Sequence, residues 1–195
     1  VNAISHIITR NTADVVSISL GFPTLGGDGT TGHFRDGTSH VAKAVDLLYN
    51  SGISVVTASG NDAQRHWSGQ YRTSDTITPS VLGLSDSYQG VMEFQPNESG
   101  LQKACLPINH GTLTVLTWND WRISSNDYDL LLYDNTMSNV LRFSNNPQQL
   151  VPSNPIETIM GGTPINSACV VIASKDTTQN HKLDLYAVGG MINDN

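Results

Sequence analysis

The chain has 195 residues and a mass of 21.0 kDa, which suffices for one ordinary domain or for two small ones. Hydrophobic residues make up 38% of the chain and charged residues only 14%, a balance that can bury a core, excludes a coiled coil and argues against intrinsic disorder. The net charge of -7 comes without a basic cluster, and no apolar run is long enough to cross a bilayer, so we expect neither a nucleic-acid partner nor a membrane span.

The segment 1–61 has a strand, helix, strand pattern. Residues 13–21 form a short apolar run that is rich in β-branched residues and ends at a glycine, which is typical of a buried strand. Apolar residues then recur at helical spacing between a capping residue, Thr38 or Ser39, and Gly52, and residues 53–58 repeat the strand pattern. Short connections between these elements predict a βαβ unit with parallel strands.

After Asn61 the helical periodicity ends, and short β runs alternate with turn residues at intervals of about ten residues, as in an antiparallel β-sandwich. The predicted strands are 111–118, 128–133, 140–143, 156–160, 168–174 and 183–188. The fold class is therefore an α/β fragment plus a mainly antiparallel β-sandwich, mostly β overall. We expect an α/β part at 1–61, a linker at 62–84, the sandwich at 85–190 and a tail at 191–195.

Two cysteines, Cys105 and Cys169, lie at the edges of strand-like runs in the same half of the chain. They are either two buried thiols or one disulfide, and a disulfide needs an oxidising compartment. No spacing typical of a zinc site is present, so zinc is not expected.

Four short segments, 16–21, 44–46, 52–56 and 58–61, resemble the subtilisin-like serine protease family in their residues, order and spacing. The resemblance covers about a quarter of the chain. It implies a substrate cleft in which the end of the first strand runs along the substrate backbone and the turn after the second strand lines the specificity pocket. The implied substrate-binding residues are Ser19, Leu20, Gly21, Ala58, Ser59 and Gly60.

The resemblance also implies that Asn61 is an oxyanion donor. Acyl transfer passes through a tetrahedral oxyanion, and a fixed side-chain amide at a strand end can donate to that oxygen without reorganising. The alternative is that Asn61 only caps the turn after the strand.

The catalytic triad of the family has no match in this chain. Ser39 lies in a Gly-Thr-Ser sequence like that of the family's nucleophile, but it precedes Asn61, whereas the nucleophile follows the oxyanion residue, so a helix-cap role is expected for Ser39. None of the histidines His6, His33, His66, His110 and His181 has the flanking residues of the family's histidine. The chain starts at Val1 without an initiator Met or a signal peptide, which predicts an internal segment of a longer protein. Because the triad has no match, we expect this segment to be inactive alone.

The second half resembles the β-sandwich domains of the pre-peptidase C-terminal type that accompany secreted bacterial proteases. The residues that carry this resemblance are mainly 118–120, 126–134 and 168–174. Because they follow Asn61, they suggest a domain inserted before the nucleophile segment, which surface loops tolerate. The resemblance implies a secreted, extracellular protein.

Four aspartates near these strands raise the question of calcium: Asp120, Asp127, Asp129 and Asp134. Several carboxylates in a short stretch can form an oxygen cage, and Asp127 and Asp129 fall on the same face of a strand. Their spacing is not that of an EF-hand, and aspartates in turns routinely bond their own backbone. We favour the structural role, so no cofactor is expected, with calcium as the alternative.

Together these features predict a segment of a secreted subtilisin-like endopeptidase that hydrolyses peptide bonds. Its partners would be a peptide or protein substrate and the missing remainder of the protease domain. One alternative is a non-enzymatic β-sandwich that binds protein or carbohydrate through surface tryptophans, namely Trp67, Trp118 and Trp121. Another is a degenerate, inactive member of the protease family.

Overall fold

The computed structural model of the chain describes residues 2–19, 40–58, 64–109, 111, 113–120, 124–148, 154–161, 167–176 and 181–193. The chain divides into two compact units, the first covering residues 1–61 and the second residues 62–195. No helix in these described ranges has the length and apolar character needed to cross a bilayer.

The first unit contains a parallel strand pair and two helices. Its elements are α1 (Asn2–Arg10), β1 (Val15–Ile18), α2 (His40–Asn50) and β2 (Ser54–Thr57). β1 and β2 pair in parallel from Val15 opposite Ser54 to Ile18 opposite Thr57, as the strand, helix, strand pattern predicts. Gly52 follows α2 with a φ of 80°, and its N–H donates to the Tyr49 carbonyl at 3.0 Å. Glycine adopts this left-handed conformation without strain, so it lies where the sequence predicts the C-cap.

The second unit is built from ten antiparallel strands in the part of the chain that the structure describes. These are β3 (His66–Gln70), β4 (Gly90–Val91), β5 (Leu106–Asn109), β6 (Leu113–Trp118), β7 (Tyr128–Asp134), β8 (Val140–Ser144), β9 (Ile156–Met160), β10 (Ser167–Ser174), β11 (Lys182–Val188) and β12 (Met191–Ile192). Two 3₁₀ turns, Pro79–Leu82 and Gly100–Ala104, precede β5. All six predicted strands are present, and the predicted mostly-β fold class is confirmed.

Two sheets form this unit. One has six strands in the order β12-β5-β10-β7-β8, with β4 also pairing with β10, and the other has four in the order β3-β11-β6-β9. Both sheets contribute to one apolar cluster, which includes Leu116 and Leu185 from the smaller sheet and Leu132 and Ile172 from the larger. Because side chains alternate along a strand, this cluster holds the inner faces of the two sheets together.

The six-stranded sheet is covered on its second face too. Leu131 of β7 and Val171 of β10 belong to another buried cluster, together with Ile77 and Leu82 from the segment before β4. A sheet that is buried on both faces needs apolar residues at every position of its central strands. This explains why Leu130-Leu131-Leu132 is apolar without alternation.

Cys105 and Cys169 form a disulfide within this second cluster, with their Cα atoms 5.0 Å apart. Cys169 lies in β10 opposite Pro107 of β5, so the bond joins the residue just before β5 to the neighbouring strand of the same sheet. Both side chains are buried.

The predicted linker and tail differ from the structure. Residues 66–70, inside the stretch expected as linker, form β3, and every residue of β3 pairs with β11. Met191 and Ile192, expected in a tail, pair with β5 as β12. The Ile192 N–H also donates to the Gln64 carbonyl at 2.8 Å, so the two ends of the second unit lie side by side.

Candidate functional site

The carboxyl ends of β1 and β2 carry the predicted substrate-binding segments. Ser19 directly follows β1, and Ala58 directly follows β2. The Ala58 N–H donates to the Ile18 carbonyl at 3.0 Å, so the parallel pairing continues to the point where both segments leave the sheet. Ser19 and Ala58 are exposed at this common end, which is where open α/β sheets bind ligands.

The other predicted cleft residues lie outside the described residues, namely Leu20, Gly21, Ser59, Gly60 and Asn61. Ser39 also lies outside them, while His40 is the first residue of α2. The oxyanion role of Asn61 and the substrate-binding roles of its neighbours therefore stay predictions.

Asp127 and Asp129 converge on one cation, the ammonium group of Lys175. Its Nζ lies 3.2 Å from Asp127 Oδ2 and 2.9 Å from Asp129 Oδ2, and the Tyr88 hydroxyl donates to Asp129. Burial raises the pKa of Asp127, and Lys175 opposes this increase. Burial lowers the pKa of Lys175, but the two carboxylates outweigh it and raise the pKa above its usual value. The shared face predicted for these aspartates thus binds a lysine of the same chain.

Asp120 and Asp134 each hold a separate loop. Asp120 Oδ2 accepts hydrogen bonds from Ser124 Oγ at 2.9 Å and from Asn126 Nδ2 at 3.0 Å. Hydrogen bonds from Asn139, Ser138 and Thr136 lower the pKa of Asp134 to about 2. The four aspartates do not meet at one point, and within the described ranges no group of three or more His, Cys, Asp or Glu residues is arranged to hold a metal ion.

His66 is the histidine with a carboxylate partner that most resembles part of a triad. Its Nε2 lies 2.8 Å from Asp184 Oδ1, and its ring stacks on Tyr186 at 4.5 Å between centroids. Ser68 follows on the same face of β3, but no hydrogen bond joins His66 and Ser68. A nucleophile needs hydrogen-bond contact with its base, and among the described residues no serine makes that contact with His66. The contact that the structure does show, His66 with Asp184, joins β3 to β11.

Of the tryptophans that the structure describes, Trp67 and Trp118, neither is fully exposed as the non-enzymatic alternative requires. The prediction of Trp118 as a surface contact is wrong, because this side chain is only 1% exposed and donates from Nε1 to Ser124 Oγ at 3.0 Å. Trp67 is half-buried and packs edge-on against Phe94 with ring centroids 5.0 Å apart. Trp121 lies outside the described residues.

A buried glutamate that the sequence reasoning did not single out lies where β8 meets β9. Glu157 is fully buried and accepts hydrogen bonds from Ser144 Oγ, Gln148 Nε2 and Asn146 Nδ2. Burial raises the pKa of Glu157 from its usual 4.5 to about 7, against the opposing effect of the bonds from Ser144 and Gln148. The available signal was the set of polar residues at 144, 146 and 148, whose spacing of two places them on one side of an extended segment.

The raised pKa of Glu157 predicts a pH-dependent stability that Glu157→Gln removes. The folded protein holds this proton more tightly than the unfolded chain, so the stabilisation is complete below pH about 4.5 and is lost as the pH rises through about 7. As the pH rises from about 4.5 to about 7, the unmodified protein should lose on the order of 3 kcal/mol of unfolding free energy relative to Glu157→Gln. Urea titrations at several pH values measure this difference, with exposed Glu98→Gln as the control; a constant difference would contradict it.

Family membership follows from a match over nearly the whole chain. The sequence model of the subtilase family matches residues 1–189, which include both the parallel strand pair and nearly all of the two-sheet unit. No curated protein matches the chain. The match includes the segments on which the resemblance to subtilisin-like proteases rests, and the chain belongs to the subtilase family.

Proposed function

We propose that this chain is a segment of a secreted subtilisin-like serine endopeptidase that hydrolyses peptide bonds through an acyl-enzyme. The observation that carries the proposal is the common carboxyl end of β1 and β2, where Ser19 and Ala58 leave the sheet next to each other. In this proposal Ser19-Leu20-Gly21 pairs with the substrate backbone, and Ala58-Ser59-Gly60 lines the specificity pocket. Asn61, the next residue along the chain, donates to the oxyanion.

The chain contributes to the cleft and leaves proton transfer to residues elsewhere in the longer protein. No serine among the described residues is in hydrogen-bond contact with His66, the histidine that pairs with Asp184. An oxyanion donor stabilises charge only after a nucleophile has attacked, so Asn61 alone confers no activity. The 195-residue chain is therefore expected to be inactive in isolation.

We further propose that the second unit is an inserted domain similar to the pre-peptidase C-terminal type. A domain can be inserted into a loop without disturbing its host when its two ends lie close together. The hydrogen bond from the Ile192 N–H to the Gln64 carbonyl, 2.8 Å long, supports this arrangement. The disulfide Cys105–Cys169 supports secretion, since such bonds persist in oxidising compartments.

A serine-directed covalent probe tests the proposal. The isolated chain should neither react with the probe nor cleave an unstructured protein substrate, whereas a longer protein that contains it should do both and carry the label on a serine outside the chain. Subtilisin serves as the positive control for probe and substrate.

Labelling of Ser39 in the isolated chain would overturn the assignment of this residue as a helix cap. A longer protein that never hydrolyses peptide bonds would favour the degenerate family member.

A further inference from the structure

A groove of about 440 Å³ opens at one edge of the second unit, where β8 and β9 run beside each other. β8 is the last strand of the six-stranded sheet, and β9 is the last strand of the four-stranded sheet. In the described part of the chain each pairs on one side only, β8 with β7 and β9 with β6. Backbone N–H and C=O groups on the other side of β8 can therefore pair with an added strand.

The groove is lined by large apolar side chains that are not covered. Val140 is 43% exposed, Phe143 is 63% exposed and Met160 is 70% exposed, and all three are among the residues that line the groove. Single exposed apolar residues are common on protein surfaces, but several in one concave place mark a site of interaction.

Arg142 introduces a positive charge into this apolar edge. No acidic side chain pairs with it among the residues that the structure describes. A Cβ atom added at Gly161 would lie 3.7 Å from Arg142 Cζ, so the guanidinium extends from β8 to the end of β9. The protein as a whole is acidic, with a net charge of -7, whereas Arg142 places a positive charge at this edge.

The strand register separates the charge from the apolar residues. Phe143 pairs with Leu131 and Arg142 with Leu132, so these two side chains lie on opposite faces of the sheet. Val140 pairs with Tyr133 after a bulge and returns to the face of Phe143. A strand added beside β8 would therefore meet arginine on one face and apolar side chains on the other.

A second copy of this chain fits the edge poorly. Arg142 is the middle residue of β8, and antiparallel pairing of two copies of β8 about its centre would place the two arginines directly opposite each other. Like charges in this position are destabilising. The complementary occupant is a strand with acidic side chains on one face and apolar side chains on the other.

We propose that this groove binds an extended segment of another polypeptide, with alternating acidic and apolar residues, as an additional strand beside β8. The acidic side chains lie against Arg142, and the apolar side chains lie against Phe143 and Val140. Backbone hydrogen bonds to β8 supply affinity, and the two faces supply specificity. The inference goes beyond the proposed function, because binding here requires no hydrolysis and no residue of the cleft.

Fluorescence anisotropy with labelled peptides tests this site on the 195-residue chain. A peptide of alternating glutamate and valine should bind saturably, and a matched lysine and valine peptide should bind more weakly. Arg142→Glu should reverse this preference, with an affinity change of about tenfold for each peptide, which corresponds to about 1.4 kcal/mol. Phe143→Ser should weaken both peptides, whereas Val81→Ser, an exposed apolar position outside the groove, should change neither.

Three results would overturn the proposal: no saturable binding at millimolar peptide, equal affinity for the acidic and basic peptides, or full affinity of a peptide whose backbone N–H groups are methylated. Sedimentation of the unliganded chain tests whether a second copy occupies the edge instead. A dimer whose stability changes in Arg142→Glu, and which the peptide dissociates, would assign the edge to self-association. Thermal melting of each variant verifies folding, and Arg142→Gln replaces Arg142→Glu if the latter unfolds. Mass spectrometry of the recovered peptide separates binding from cleavage.

Discussion

Replacing Asn61 with alanine, in a longer protein that contains this chain and hydrolyses peptides, should lower kcat by about a hundredfold or more and leave KM nearly unchanged. The side-chain amide proposed here donates to an oxygen whose negative charge develops in the transition state and is complete in the tetrahedral intermediate, but is absent from the bound substrate. Loss of such a donor therefore raises the activation barrier without weakening the ground-state complex. Steady-state kinetics on a chromogenic peptide measure both constants.

The matched control is Asn50→Ala, which removes the same amide from the exposed end of α2. It should leave kcat unchanged. A kcat that is also unchanged in Asn61→Ala would leave this residue with the role of a turn cap. A rise in KM with constant kcat would instead place Asn61 in substrate binding, since interactions made equally in both states alter KM alone.

Removing the disulfide should have the largest effect on stability. Replacing both Cys105 and Cys169 with alanine should lower the free energy of unfolding of the second unit by about 4 kcal/mol, because the bond closes a loop over a sequence separation of 64. The loss comes mainly from the unfolded chain, which regains the conformations that the crosslink excludes. Guanidinium titration monitored by tryptophan fluorescence measures it, since Trp118 is buried in this unit.

Reductant supplies the control for this experiment. It should shift the unfolding midpoint of the parent towards that of the double variant and leave the variant itself unaffected. Equal midpoints for parent and variant would contradict the expected contribution of the crosslink. So would a titration that finds two free thiols per denatured, unreduced parent chain, since it would show that the bond does not form in solution.

The strands that were predictable from sequence are those whose own apolar residues form the core. β7 and β10 have long apolar runs because the larger sheet is buried on both faces. β3 has the sequence His-Trp-Ser-Gly-Gln, with little apolar content, and it is a strand only because β11 pairs with it. β5 contains Pro107, which argues against a central strand, yet it lies between β12 and β10. Pairing with distant partners decides such segments, and no local pattern records it.

The candidate site, too, has a part that sequence predicts and a part that it does not. The parallel pairing that brings Ser19 and Ala58 together follows from the local strand, helix, strand pattern. The partners of polar residues do not follow from such patterns. Lys175 lies far along the chain from Asp127 and Asp129, and the cluster around Glu157 depends on β8 and β9 meeting at the edges of two different sheets. Sequence indicates which residues share a face, but the groups that face them come from the tertiary fold.

The adjacency of the two ends of the second unit determines when this unit can fold during synthesis. β3 is the first of its strands to leave the ribosome, but its partner β11 is made almost last, and β5 likewise waits for β10 and β12. Contacts between residues so distant in the chain are closed slowly. The early strands must therefore remain unpaired, and open to wrong partners, until nearly the entire unit has been translated. A nascent chain that pauses before residue 182 would expose the edge of β3 for as long as the pause lasts.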